Sequence, residues 1–474
     1  MIQSGKRTSR YALFAVATLG ISASALAQTP PPTPDPAAPP PPPIPAEPLP
    51  TDPTPPPAGG VPANLTPPPP AAATLPAEPP KPVFPSMGGP FLRISDVFSF
   101  RPGLLLQFWG VATQDPALKP NGDRGDFAKN LYLRRARFYV AGAIGKNLTY
   151  TLLMESANLG QAVAGAAAGN PNFGVDKNFS TPGAGTPVSF GFNDAYLDYK
   201  INPNFSVQAG LMLIPFTRNI LQSTATYWSV DIGAVSASYI NQTQTNVLRD
   251  TGVQLKINGL DNHFEARGMI SQGVKLVDAS DPVMGVARTP GKNDPRFTGF
   301  LQYNFFDSDV GYVFNGQYFG KKKIAAIAVG ADYQKLADTN PYFATSATLF
   351  AAIPVKGANP AGGDEVGGQF EYVHFHGGGA LPSSALGKRD GFLGELGYYN
   401  KDAKASVFGK FEGVYFDGGA QAGNTRLFGG GFKYFFAEQI ANATLQYNYT
   451  QFPNQPDTVR KPTSQVILEL QLAY

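Results

Sequence analysis

Residues 91–474 alternate apolar and polar side chains in short segments that are separated by Gly, Asn, Asp and Pro. In the segment 194–201 every second residue is apolar, and Asn202-Pro203-Asn204 follows as a short turn. The next segment, 205–213, alternates in the same way. A period of two predicts β-strands, and two such neighbours predict a hairpin with one apolar face.

Further alternating segments follow along the chain, and most are about 8 to 12 residues long, which is the length that a tilted strand needs to cross a bilayer. They are 252–257, 264–270, 297–305, 324–334, 368–375, 391–399, 405–416, 425–436 and 441–452. About 384 residues at roughly 24 per strand and connection give about 16 strands. The pattern therefore predicts an all-β fold, a transmembrane antiparallel β-barrel of about 16 strands with an aqueous lumen.

The connections and the last strand favour a membrane barrel over a soluble β-sandwich. The turn 202–204 is short, whereas 158–187, 219–245 and the stretch around 357–364 are long, as expected for short periplasmic turns and long external loops. Aromatic pairs such as Tyr398-Tyr399 indicate an interfacial girdle. The closing strand alternates strictly and ends on an aromatic residue, with Val466, Leu468, Leu470, Leu472 and Tyr474 on one face.

The N-terminal residues predict export. Lys6, Arg7 and Arg10 precede an apolar run, and Ala25-Leu26-Ala27 forms a cleavage site, so residues 1–27 are interpreted as a signal peptide. The alternative, a transmembrane anchor, would need roughly 20 apolar residues. Residues 28–90 are rich in proline and predict a disordered, extended segment in the periplasm. This segment is either a spacer that contacts peptidoglycan or an inert tail.

Composition removes several classes of function. The chain has no cysteine, which excludes disulfides, thiolate metal sites and cysteine nucleophiles. Its 37 basic and 34 acidic residues leave a net charge of +3, and no basic-aromatic motif suggests nucleic acid. His374 and His376 point the same way on a strand, but with Glu371 alone nearby they fall short of a metal site. No motif indicates an enzyme, and no cofactor is expected.

Several phrases resemble the phosphate-selective porin O and P family. They are Leu133-Arg134-Arg135-Ala136-Arg137-Phe138, Asp194-Ala195-Tyr196-Leu197-Asp198-Tyr199, the core Ile214-Pro215-Phe216-Thr217 within 210–218, and Arg249-Asp250-Thr251-Gly252-Val253. Residues 297–306 and 468–474 are similar more loosely. The resemblance implies a 16-stranded, usually trimeric porin of the Gram-negative outer membrane whose pore is lined by basic residues. Arg135, Arg137, Arg218 and Arg249 lie in the matching phrases.

Alternation assigns charged residues to the lumen, because charge that faces lipid at the midplane costs about 2 to 4 kcal/mol. The predicted pore-lining residues are Arg135, Arg137, Arg218, Arg249, Arg267, Arg296, Lys200 and Lys256. Of these, Arg218 and Arg249 are included because they flank the long loop from Asn219 and would lie near a constriction if that loop folds inward. Acidic or amide groups expected beside them are Glu155, Asp194, Asp198, Gln254 and Glu265. Arg134 falls on the opposite face and is expected at the membrane interface. The alternative for each arginine is a salt bridge in the barrel wall.

The sequence thus predicts a passive diffusion channel for small hydrophilic solutes or ions. The mature chain is nearly neutral and lacks a lysine-dense loop, so only a weak preference for anions is expected, with phosphate as one candidate. The alternative function is a structural or adhesive barrel without an open, selective pore. A lumen filled by bulky side chains would favour that alternative.

Overall fold

The computed structural model describes residues 92–95, 97–115, 118–159, 191–233, 236, 248–273, 294–335, 341–376, 388–417, 421 and 423–474. The predicted signal peptide and proline-rich segment lie outside these residues. The described residues form seventeen strands: β1 Leu92–Arg93, β2 Phe98–Gln114, β3 Phe127–Ile144, β4 Leu148–Leu159, β5 Gly191–Asn202, β6 Phe205–Leu213, β7 Arg249–Gly259, β8 Phe264–Ser271, β9 Arg296–Asn304, β10 Ile324–Gln334, β11 Tyr342–Pro354, β12 Glu365–His376, β13 Arg389–Asn400, β14 Ala405–Phe416, β15 Thr425–Ala437, β16 Ala441–Gln451 and β17 Thr463–Ala473.

Strands β2 to β17 form a closed antiparallel barrel of 16 strands, as the sequence predicts. Each strand pairs with the next one along the chain, and β17 pairs with β2 through the register Leu468 with Gly110. The short strand β1 pairs with the first residues of β2, beside the place where Tyr474 ends the closing strand. Within the described residues, no helix is long and apolar enough to cross a membrane.

The two faces of the barrel wall follow the predicted alternation. On β17, Leu468, Leu470 and Leu472 are exposed on the outer face, whereas Glu469 and Gln471 between them are buried inside. The same pattern holds on β16. On β10 the exposure alternates in the same way, but the inner face is largely apolar. An apolar outer face over a polar inner face is the arrangement that lipid outside and water inside require.

The two ends of the barrel differ. One end, here called the turn end, carries the connections 145–147 and 203–204 together with Tyr474. The other, the loop end, carries the connections 115–126 and 214–248. The prediction that residues around 357–364 form an external loop is wrong. An antiparallel barrel alternates ends at every connection, which puts 355–364 at the turn end.

Two connections fold into the barrel from opposite ends. The β6–β7 loop, of which 214–233, 236 and 248 are described, enters from the loop end, and the β9–β10 connection (305–323) enters from the turn end. They meet in a short parallel bridge, where the Ser223 amide donates to the Phe314 carbonyl and the Phe314 amide donates to Leu221, each at 2.8 Å. Both connections carry buried apolar side chains, so the core of the molecule lies inside the barrel.

Candidate functional site: the charged barrel interior

Arg134 and Arg135 both point into the barrel and hold the same carboxylate. A bulge shifts the register of β3 against β2, so that Gln107 faces Arg135 while Phe108 faces Leu133. The extra residue brings Arg134 inward, and its expected position at the membrane interface is therefore wrong. Arg134 Nη2 lies 2.8 Å from Asp231 Oδ2, and Arg135 Nη2 pairs with Asp231 Oδ1.

Asp231 belongs to the β6–β7 loop, and its ionisation depends on these two partners. Burial by itself would raise the pKa of Asp231, but the guanidinium groups of Arg134 and Arg135 lower it well below its ordinary value. The carboxylate therefore stays charged at neutral pH, and the loop is fixed to β3 by a buried ion pair.

Arg137 lies on the same inner face and pairs within the wall. Its Nε is 2.7 Å from Glu155 Oε2 on β4, and its Nη1 donates to Thr224 Oγ1 of the β6–β7 loop at 2.5 Å. Arg249 pairs with Asp194 on β5 at 3.1 Å rather than with its neighbour Asp250. Both arginines therefore form ion pairs with carboxylates of neighbouring strands.

The remaining predicted arginines and Lys256 are buried and paired as well. Lys256 and Arg267 share Glu265, with nitrogen–oxygen distances of 3.2 and 2.5 Å. Arg218, on the β6–β7 loop, lies 2.7 Å from Asp309 of the β9–β10 connection.

Two further predicted residues complete the set. Arg296 Nε donates to Asp332 Oδ1 at 2.7 Å. Lys200 differs from all the others, because it is exposed two residues before the end of β5, at the turn end.

An acidic wall on β12 and β13 was missed by the sequence analysis. Glu371 accepts hydrogen bonds from the Asn219 amide at 3.2 Å and from Ser236 Oγ at 2.6 Å. Glu395 accepts from Ser229 Oγ at 2.5 Å, so both carboxylates receive the β6–β7 loop. The alternation along β12 and β13 does place these glutamates on the inner face. Their hydrogen-bond partners could not be predicted, because they lie in segments without periodicity.

Glu365, at the start of β12, receives the other inward segment. Its carboxylate accepts hydrogen bonds from the backbone amides of Tyr318 and Gly320, at 3.1 and 2.9 Å. The β9–β10 connection is therefore held at its far end by the same wall that holds the β6–β7 loop.

The histidine pair lies on the outer face of β12, and His374 and His376 point the same way as predicted. His374 Nδ1 lies 2.8 Å from Asp390, which also accepts a hydrogen bond from Tyr372 Oη at 2.6 Å. Among the described residues, no group of three or more His, Cys, Asp or Glu side chains could hold a metal ion.

One protein-family model matches part of the chain. Residues 107–287 match the model of the family "Phosphate-selective porin O and P". The match confirms the resemblance seen in the sequence, and it spans β2 to the connection after β8. The matched stretch is less than half of the chain, and its strands carry an apolar outer surface. Arg296 is the one predicted lining residue that lies beyond the matched stretch.

Several solved structures are similar to the chain at low sequence identity, and one of them, with a TM-score above 0.5, shares its fold. OprB of Pseudomonas putida matches with a TM-score of 0.51 and 9% identity, over 80% of this chain and 94% of that chain. OmpT of Vibrio cholerae has a TM-score of 0.45 and 11% identity, over 81% and 100% of the two chains. The outer membrane channel DcaP of Acinetobacter baumannii has a TM-score of 0.46 and 9% identity, over 81% and 99%. No curated protein matches the chain.

Proposed function

We propose that the barrel is a porin channel through which small hydrophilic solutes or ions diffuse across the outer membrane, and that it is not an enzyme. One observation carries this proposal: the inner face of a closed 16-strand barrel is lined by polar and charged side chains, whereas its outer face is apolar. Buried charge is costly unless it serves a polar pathway or a paired network. The turn end, with the proline-rich segment 28–90, would face the periplasm.

The proposed selectivity is a weak preference for anions. The buried arginines of β3, β7, β8 and β9 each lie within hydrogen-bond distance of an Asp or Glu. A paired charge creates little field a few ångströms away, because its partner cancels most of it. We therefore expect the arginines to bias the lumen only slightly, with phosphate as one candidate solute.

One observation favours the second candidate, a structural or adhesive barrel. The inward segments bring large aromatic side chains into the lumen, among them the fully buried Phe216, Phe314 and Trp228. Side chains of this size narrow the path that water and solutes can take. The two candidates differ in one measurable property, which is steady conductance through the folded barrel.

Planar bilayer recordings under a salt gradient test the proposal, with Arg135→Ala plus Arg137→Ala beside the wild type. Step conductance with a small anion-selective zero-current potential supports the channel, and that potential should fall towards zero in the double variant. Arg124→Ala is the matched control, because Arg124 is exposed at the loop end. Folded protein that never conducts would favour the structural barrel, and cation selectivity would overturn the proposed sign.

The proposed oligomeric state follows from the resemblance to the phosphate-selective porin O and P family. Porins of this family are usually trimers, and we propose a homotrimer embedded in outer-membrane lipid. Native mass spectrometry of detergent-extracted protein distinguishes a trimer from a monomer by mass.

A further inference from the structure

Trp228, at the inner tip of the β6–β7 loop, is fully buried against the barrel wall. The wall beneath its ring is made of two glycines, Gly367 on β12 and Gly397 on β13, which are paired in register. A Cβ at Gly367 would lie 2.8 Å from the ring, and a Cβ at Gly397 would overlap it outright. The ring therefore occupies a slot that exists only because both wall residues lack a side chain.

Aromatic side chains close the sides of this slot. Trp228 clusters with Phe319, Tyr399, Phe408 and Phe435. The rings of Phe319, Tyr399 and Phe435 meet edge to face, with centroids 4.9 to 5.4 Å apart. Phe319 comes from the β9–β10 connection, so both inward segments end in the same cluster. We call Gly367, Gly397 and these four aromatic residues the tryptophan socket.

The socket lies deep in the barrel, far from where the loop enters. Gly397 stands three residues before the end of β13 at the turn end, which is roughly 10 Å along a strand. Neighbouring loop residues are held at the same depth. Lys433 Nζ donates to the Tyr227 carbonyl at 2.7 Å, and Gln471 Nε2 donates to the Ala225 carbonyl at 3.1 Å. The loop thus crosses the lumen from the loop end nearly to the turn end.

We propose that Trp228 is a positioning residue for permeation: by occupying the tryptophan socket it fixes the β6–β7 loop across the lumen and thereby sets the width of the open path. This proposal rests on the proposed channel function. Among the described residues, the Trp228 indole nitrogen has no hydrogen-bond partner. The socket therefore holds the ring by shape, and a phenyl ring should replace it more closely than any polar side chain.

Single-channel conductance tests the role of the ring. Trp228→Ala empties the socket and leaves the loop tip held only by the neighbouring hydrogen bonds, so we expect conductance to rise at least twofold. Trp228→Phe should stay near the wild-type value. Gly397→Val should also raise conductance, because it fills the slot and expels the ring while valine suits a strand. The double variant Trp228→Ala plus Gly397→Val should have the same conductance as Trp228→Ala alone, since both changes break the same contact between the ring and the wall. Additive effects, or unchanged conductance in Trp228→Ala, would overturn the proposal.

A fluorescence measurement keeps this test separate from the channel function. The chain has two tryptophans, so a Trp109→Phe background leaves Trp228 as the one reporter. In folded protein, aqueous iodide should quench it poorly, and Gly397→Val should increase quenching severalfold. Strong quenching in the parent background would refute the socket even if the barrel conducts. Poor quenching in a barrel that never conducts would retain the socket and refute the channel. Heat-modifiable gel mobility verifies folding of each variant.

Discussion

Arg134 and Arg135 follow each other in the chain, yet both point into the barrel, which a regular strand forbids. Their shared partner, Asp231, explains the arrangement, because one carboxylate can accept hydrogen bonds from two guanidinium groups. Arg134 was predicted on the outer face because unbroken alternation would place it there. No local residue pattern marks the bulge, and the partner lies almost a hundred positions away in a loop.

Asp231→Asn should loosen the β6–β7 loop. The change removes the carboxylate charge that two buried guanidinium groups share, and breaking a buried pair costs about 3 kcal/mol. We expect higher channel conductance and faster proteolysis of the loop. Asp417→Asn is the control, because the pair of Lys388 with Asp417 is half exposed and worth roughly 0 to 1 kcal/mol. Equal effects of the two substitutions would contradict the role of Asp231.

The ion pair at Asp231 should be insensitive to pH over the neutral range. Since the folded-state pKa of Asp231 lies below its ordinary value, the stabilisation is fully present above a pH of about 4. It is lost only as the pH falls through the lowered pKa. We expect loop-dependent conductance to stay constant from about pH 5 to 8, measured in bilayers at fixed salt. A change of conductance with pH inside that window would show that another titratable group controls the position of the loop.

At the scale of elements, strands were predictable and the inward segments were not. The alternation of β5, β6 and β17 appears in the sequence because lipid and lumen demand opposite side chains at successive positions. The β9–β10 connection has no such period, and its aromatic residues, such as Phe314, find their partners in another connection. Inward folding of the β6–β7 loop was not predicted from the sequence. It entered only as the condition under which Arg218 would lie near a constriction.

Charge on the outer face of β17 should destabilise the barrel according to depth. Leu468 lies mid-strand on the outer face, where an arginine costs about 2 to 4 kcal/mol. Ser464, on the same face near the loop end, should tolerate arginine at a cost of roughly 0 to 1 kcal/mol. Urea unfolding in lipid vesicles compares Leu468→Arg with Ser464→Arg. A cost independent of depth would argue against the lipid-facing assignment.

At the scale of the whole molecule, the closure of the barrel was anticipated by its last residues. Tyr474 exchanges backbone hydrogen bonds with Leu104 at 2.7 and 2.8 Å, which ties the closing strand to β2. The strand count followed from length, since roughly 24 residues per strand is typical of such barrels. The ion pairs across the lumen could not be predicted from the sequence, because they depend on where the β6–β7 loop and the β9–β10 connection meet.

The proline-rich segment should be dispensable for the barrel. Deleting residues 28–90 while keeping residues 1–27 should leave outer-membrane insertion and conductance unchanged, since the closed sheet begins at β2. If the segment contacts the cell wall, the deletion should abolish co-sedimentation with purified peptidoglycan. Full-length protein that does not co-sediment would favour the inert tail. A failure of the deleted protein to insert would assign the segment a role in assembly.

The inward course of the β9–β10 connection also determines what a protease can reach. Its residues Tyr312, Phe314, Tyr318 and Phe319 are all buried inside the barrel. In an extended periplasmic loop the same four residues would be good chymotrypsin sites. Because the connection lies inside the lumen, the barrel wall shields these four residues, and the protein gains resistance to proteases at the turn end although the connection is long.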